Sequence, residues 1–265
     1  MELKELVKKS YYHEKNGMLL FGDCLEWMKK IPDKSIDMIL ADLPYGTTSC
    51  KWDVIIPFEP MWENINRISK NKAPSVLFGI EPFSSSLRIS NIDNYKYDWY
   101  WNKNHGANFA QANKRPLKNI EVISVFSNGQ SNYYPQKIIN PKGIEKRSHY
   151  KSSKQKEVFV GQVSTTKEYS HPGSSYENDK LLPKCLIEFS REHKPIHPTQ
   201  KPVELLEYLI KTYTNENEIV LDFTCGSASV AIAAKNTNRK WICIEKEEKY
   251  CDISVERIKN HVVQN

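Results

Sequence analysis

The sequence predicts an α/β fold: a mixed sheet with helices on both faces and one inserted region. Three observations lead there. Short apolar runs, too brief for helices, alternate along the chain with segments of helical period. Several of these runs are apolar throughout, as strands buried on both faces are, and they end in an acid followed by a turn. Between two such blocks lies a stretch of low hydrophobicity, 127–196, too long to be a plain connection in a compact domain.

Taken in order, the residues before Asn16 are polar and mixed and read as a short helix or an arm. The apolar residues 18–21 read as a strand. Gly22, Asp23 and Cys24 turn the chain into a helix over 25–31, with Asp23 as its N-cap and Pro32 as its stop. The run 36–41 predicts the next strand, which ends abruptly in Asp42-Leu43-Pro44-Tyr45-Gly46. Phe58, Met61, Trp62, Ile65 and Ile68 recur at helical spacing and predict a helix over 57–69. A strand at 75–79 and a short helix over 82–89, opened by Pro82, come next. Alternating aromatic residues place a strand at 95–101, and 120–126 reads as another, with an amide-rich, basic loop at 102–119 between them. After the polar stretch, Pro202 opens an amphipathic helix running to about Tyr213. Strand 218–223, a small-residue turn at 224–229, helix 230–236, strand 239–245 and helix 247–262 close the chain.

The 265 residues suffice for one large α/β body with an insertion. No apolar stretch reaches membrane-spanning length and the N-terminal residues carry no apolar signal region, so a cytoplasmic protein is expected. The six cysteines lack CxxC spacing and read as reduced thiols, three of them in apolar runs; no metal site is expected. The net charge of +6 is unevenly spread: residues 102–194 hold 16 basic against 8 acidic side chains, and the remainder holds 22 against 24. A basic segment interleaved with tyrosines fits a polyanion partner, and also fits a solvated lysine-rich surface.

Two constellations carry chemistry. In an open α/β sheet, ligands sit beyond the carboxyl ends of strands. There Asp42 offers an anionic acceptor, Pro44 a stiff turn, Tyr45 a flat ring and Gly46 freedom to leave. Such a set suits a planar substrate bearing an amino group, such as a nucleobase. The second is a strand ending in Asp222, a turn of small residues around Gly226 and Ser227, a helix, and a strand ending in Glu245. This is the plan of a nucleoside-cofactor site, with Glu245 placed to accept ribose hydroxyls. A carboxylate at Asp222 would repel a pyrophosphate and favours a cationic cofactor carrying an ammonium and a sulfonium, S-adenosylmethionine. His197 reads as a turn residue, since no second histidine follows at metal spacing.

These motifs, with His197-Pro198-Thr199-Gln200-Lys201-Pro202 and Gly22-Asp23-Cys24, resemble the amino-group DNA methyltransferases in their permuted beta-class order. In that class the catalytic Asp-Pro-Pro-Tyr comes first, a target-recognition region follows and the cofactor motif comes last. The resemblance covers about residues 17–126 and 195–260. It implies a Rossmann-like, S-adenosylmethionine-dependent methyltransferase fold: catalytic half 17–126, target-recognition insert 127–196, cofactor half 197–265. It implies transfer of a methyl group to a flipped base in double-stranded DNA, adenine N6 being favoured over cytosine N4 because the motif begins with Asp. Asp42, Leu43, Pro44 and Tyr45 would be catalytic. Asp23, Cys24, Thr199, Lys201, Asp222, Phe223, Gly226, Ser227 and Glu245 would hold the cofactor, with Thr199 and Lys201 closing its methionine side. Lys103, Asn104, Lys114, Arg115, Lys142, Arg147 and Lys151 would contact DNA, and many relatives of the class form homodimers. Leu43 replaces the first proline of the motif, and Ala228 replaces a glycine of the cofactor loop. A nucleic-acid-binding subunit without turnover is the reading those two departures would favour.

Overall fold

The computed structural model describes residues 2–48, 50, 52–107, 109–139, 180–192, 196 and 200–263. The chain forms two compact units, residues 1–134 with 184–265, and residues 135–183.

In the larger unit, helix α1 (Leu3–Val7) leads into a hairpin of β1 (Tyr12–Glu14) and β2 (Gly17–Phe21). Then follow α2 (Cys24–Met28), β3 (Met38–Asp42), α3 (Phe58–Ile68), β4 (Ser75–Gly79), α4 (Phe83–Ile89), β5 (Tyr95–Ala107) and β6 (Lys118–Phe126). The smaller unit contributes β7 (Ile138–Ile139) and β8 (Lys180–Leu181), an antiparallel ribbon pairing Ile138 with Leu181. Back in the larger unit come β9 (Leu186–Glu188), α5 (Val203–Tyr213), β10 (Ile219–Asp222), α6 (Ser229–Asn236), β11 (Lys240–Glu245) and α7 (Glu248–Asn260).

Nine strands form one sheet in the order β1-β2-β11-β10-β3-β4-β6-β5-β9. The central five, β2-β11-β10-β3-β4, are parallel; β1 at one side and β6 at the other pair antiparallel. This is the mixed sheet expected. Alternate residues of each central strand feed opposite cores, as the period of a strand requires. Met38, Leu40, Val220 and Cys243 face α5, α6 and α7, while Ile39, Ala41, Leu221 and Ile242 face α1, α2, α3 and α4. Trp241 packs over the backbone of Gly17, where an added Cβ would come within 2.1 Å of the indole ring.

Three elements differ from the sequence reading. β5 continues to Ala107 instead of ending at 101, because β6 extends to Lys118 and pairs with it beyond a register shift. β9 lies inside the stretch read as insert and pairs parallel with β5, Tyr100 opposite Leu186. The residues before Asn16 form β1 as well as a short helix. Tyr133 and Tyr134, which fall in the basic, tyrosine-bearing segment, belong to the larger unit: Tyr133 packs on Tyr213 at 6.2 Å, and Tyr134 Oη accepts from Asn215 at 2.7 Å. Among the described residues, no helix is long and apolar enough to cross a membrane.

Candidate active site

The strand order reverses between β3 and β10. From β3 the chain passes through α3 to β4 on one side; from β10 it passes through α6 to β11 on the other, over the opposite face. Such a switch point opens a crevice at the carboxyl ends of the strands. A cavity of about 260 Å³ lies there, and Asp23, Cys24, the turns following β3 and β10, Lys201 and Glu245 all line it.

Asp42 is the last residue of β3. Tyr45 Oη donates to its Oδ1 at 2.5 Å and Lys201 Nζ donates to its Oδ2 at 2.6 Å. Burial pushes the Asp42 carboxyl up, against the pull of Lys201. Leu43 is buried in the core beside α3, and the Tyr45 ring lies 5.1 Å from that of Phe83. The turn is held from behind by Asp53, whose carboxylate accepts from the amides of Gly46, Thr47 and Thr48 at 2.9, 2.9 and 2.7 Å. Burial opposes that charge, but the Thr48 hydroxyl and the three amides hold the Asp53 carboxyl below its ordinary value. A hydrogen bond from Thr224 Oγ1 to the Asp42 carbonyl, 3.0 Å, fastens this turn to the one after β10.

Asp222 ends β10 and accepts from the Thr224 amide at 3.1 Å. Burial first, and then the nearby charges of Asp42 and Glu245, push its carboxyl up to about 8. Phe223 is buried in the core. Gly226 has φ +52°, a conformation that glycine adopts freely. Its amide donates to Glu245 Oε2 at 2.8 Å, and the Glu247 amide donates to Oε1 at 2.9 Å. Both bonds lower the Glu245 carboxyl, but burial outweighs them and leaves it raised. Helix α7 pins the same turn: Ser254 Oγ donates to the Gly226 carbonyl and Arg257 donates to the Ser227 carbonyl, at 2.8 and 2.9 Å. Asp23 caps α2, accepting from the Glu26 amide at 3.1 Å, and Cys24 is a half-buried thiol that burial pushes up to about 12.

Lys201, expected beside the cofactor, lines the same cavity, and its ammonium rests on the Asp42 carboxylate. The reason is topological: the chain enters α5 directly above β3, so a long side chain just before the helix reaches the β3 tip. Lys103, expected on DNA, turns inward to Glu121 at 3.1 Å and covers the Trp101 ring. Asn104, Lys114 and Arg115 are exposed. His197, Thr199, Lys142, Arg147 and Lys151 lie outside the described residues. Sequence reading assigned no role to Asp53, Glu121 and Thr224, whose partners are set by register and loop path; Asp53 and Thr224, each close to a motif, were open to local reasoning, and Glu121 was not. Cys225, Cys243 and Cys251 are buried thiols, and among the described residues no three His, Cys, Asp or Glu side chains gather as metal ligands.

The profile of the DNA methylase family, N6- and N4-specific, matches residues 36–256. The chain belongs to that family. It is 26% identical to the DNA adenine methyltransferase YhdJ of Escherichia coli, over 91% of this chain and 82% of that one. Among solved structures it resembles the PvuII DNA methyltransferase, described as cytosine-N4-specific, with a TM-score of 0.66 and 17% identity, covering 96% of this chain and 90% of that one. The complex of M1.HpyAVI with S-adenosylmethionine gives a TM-score of 0.59 at 21% identity, covering 91% and 99%. The fold is therefore that of the S-adenosylmethionine-dependent DNA methyltransferases.

Proposed function

We propose that this methylase transfers a methyl group from S-adenosylmethionine to the exocyclic N6 of a flipped adenine in double-stranded DNA, with its motifs in beta-class order. The observation that carries the reading is the meeting of the Asp42–Tyr45 turn and the Asp222–Ser227 turn at one switch point, joined by the Thr224 hydroxyl. Adenine is favoured because an acid, Asp42, heads the catalytic motif.

The residues present fit the cofactor. Asp222, Glu245 and Asp23 give the cavity an acidic lining suited to a cation with ribose hydroxyls and an amino group, and a phosphate-bearing dinucleotide would meet repulsion there. Gly226 and Ser227 allow close backbone approach, Phe223 and Cys24 supply apolar wall, Lys201 lines the same cavity, and Thr199, outside the described residues, would join it. When bound, S-adenosylmethionine supplies an electrophilic methyl group.

The remaining work falls to the chain. An exocyclic amine inside a duplex is out of reach, so the target base must leave the stack, and the Tyr45 ring offers it a face. The Asp42 carboxylate and the Leu43 carbonyl accept the two amine hydrogens, drawing the nitrogen towards tetrahedral geometry and aiming its lone pair. Leucine serves here as well as proline, because the backbone carbonyl is what acts. Tyr45 Oη and the Asp53 clamp fix the carboxylate and the turn beforehand, so positioning and electrostatics supply the rate. Asn104, Lys114, Arg115, Lys142, Arg147 and Lys151 would contact the duplex.

The deciding experiment is methyl transfer from labelled S-adenosylmethionine to unmethylated genomic DNA, followed by nucleoside analysis. N6-methyladenine is the expected product. N4-methylcytosine would keep the mechanism and correct the base, whereas cofactor binding with no product would point to a subunit without turnover.

A further inference from the structure

Four charged side chains run in a line from the catalytic turn into the sheet: Asp42, Lys201, Glu121 and Lys103. Lys201 Nζ is 2.6 Å from Asp42 Oδ2 and 3.8 Å from Glu121 Oε2. Glu121 Oε1 is 3.1 Å from Lys103 Nζ, while Oε2 is buried and, among the described residues, accepts no hydrogen bond. A buried acceptor left over in this way needs an explanation.

Both oxygens of Asp42 are engaged by the chain's own donors, Tyr45 Oη and Lys201 Nζ. An incoming amine must therefore share or displace one of them. Sharing with the ammonium is unfavourable, because methyl transfer builds positive charge on the amine nitrogen, and two positive centres would then compete for one carboxylate in a buried place. Displacing it calls for a second anion to balance the charge, since moving a buried ammonium away from its counter-charge is costly. Glu121 Oε2 removes that difficulty.

We propose that Lys201 is a mobile counter-ion, held on Asp42 until a target amine arrives and then carried by Glu121, which makes Glu121 a positioning residue for methyl transfer. This deepens the function proposed above and rests on it. The ammonium keeps its proton throughout; only the lysine stem moves, because Pro202 and the first turn of α5 anchor the backbone. The Phe78 ring, 5.0 Å from Nζ, is a floor over which the ammonium slides. Burial opposes charge at both Lys201 and Glu121, but Asp42 and Glu121 hold the lysine above its ordinary value, and Lys201 and Lys103 hold the glutamate below its own. Lys201 and Glu121 are thus each biased towards the charged form. Lys103 fixes Oε1 and leaves Oε2 as the receiving atom.

The test is a double-variant cycle, with kcat, KM for unmethylated genomic DNA and the dissociation constant for S-adenosylmethionine measured on each protein. Glu121→Gln keeps shape and removes the receiving charge; kcat should fall about 10- to 100-fold with cofactor affinity unchanged. Adding Lys201→Gln should recover part of that loss, because no ammonium then needs a second partner. A support role for Glu121 gives the opposite sign, a double variant slower than Glu121→Gln alone, and that result overturns the proposal, as does parent-level turnover in Glu121→Gln. Should Glu121→Gln fail to fold, Lys201→Gln decides alone: KM for DNA falls several-fold if the ammonium competes with the amine, and a rise overturns the idea. An active parent with any of the overturning results leaves the methyltransferase reading intact; a parent that binds cofactor and methylates nothing overturns both.

Discussion

Asp222 is a buried carboxylic acid lining the cavity proposed for the cofactor, and burial pushes it up to about 8, with consequences of definite sign. An acid raised this far from its ordinary value keeps a proton in the folded chain that the unfolded chain has already released. Between the ordinary carboxylate range and about 8, this group therefore subtracts stability as pH rises. A cationic ligand reverses the preference, because it favours the ionised form. Affinity for S-adenosylmethionine should accordingly strengthen as pH rises towards about 8 and level off above it. The ligand's own ammonium titrates nearby, so the comparison is with Asp222→Asn, which carries that ligand titration and lacks the protein's. The difference between the two calorimetric profiles should show the rise; two parallel profiles would mean that Asp222 does not face the cation.

At the scale of elements, the entry to α6 bears strain. Ala228, its N-cap residue, sits at φ 57° and ψ 37°, the left-handed region, with its side chain wholly buried. An L-residue there costs roughly 1–2 kcal/mol, while a glycine loses more entropy on folding, by about 0.5–1 kcal/mol. Ala228→Gly should therefore stabilise the chain by up to about 1 kcal/mol, read as a higher urea midpoint at unchanged slope, and a lower midpoint would mean the methyl group's packing outweighs the strain. The alanine was legible in the sequence as a departure from a glycine pattern; its dihedral was not. The same division runs through the fold. Strand 75–79 and the helix opened by Pro202 could be read residue by residue, because continuous apolar runs and helical spacing report burial locally. β5 beyond 101 could not, since Asn102, Lys103 and Asn104 are poor strand formers and only the pairing with β6 extends them. β9 is three residues long, with one buried side chain, below what periodicity can register. In the site, Asp42, Asp222 and Glu245 were visible as acids at strand tips. Glu121 was hidden, because nothing local says that β6 lies next but one to β3 and brings residue 121 to residue 201.

At the scale of the molecule, charge is segregated: the excess of basic over acidic side chains lies wholly within 102–194, and the rest of the chain is slightly acidic. The turns after β3 and β10 belong to the acidic part, so on the proposed function that part would hold the cationic cofactor and the basic part would meet the polyanion. Each phosphate neutralised releases condensed counterions, so the logarithm of DNA affinity should fall linearly with the logarithm of salt, by about 0.9 per contact. Lys114 and Arg115, exposed beside a short 3₁₀ turn, are free to make such contacts, whereas Lys103 is committed to Glu121 and is not counted with them. Replacing Lys114 and Arg115 together by alanine should weaken binding to all sequences alike and flatten the salt slope by about 2, with cofactor affinity unchanged. If the slope stays as steep as the parent's, this strip faces away from the duplex and the phosphate contacts must come from the other basic residues of the segment. A loss confined to certain sequences would instead assign Lys114 and Arg115 to base edges, where they would set specificity and contribute little to the salt dependence.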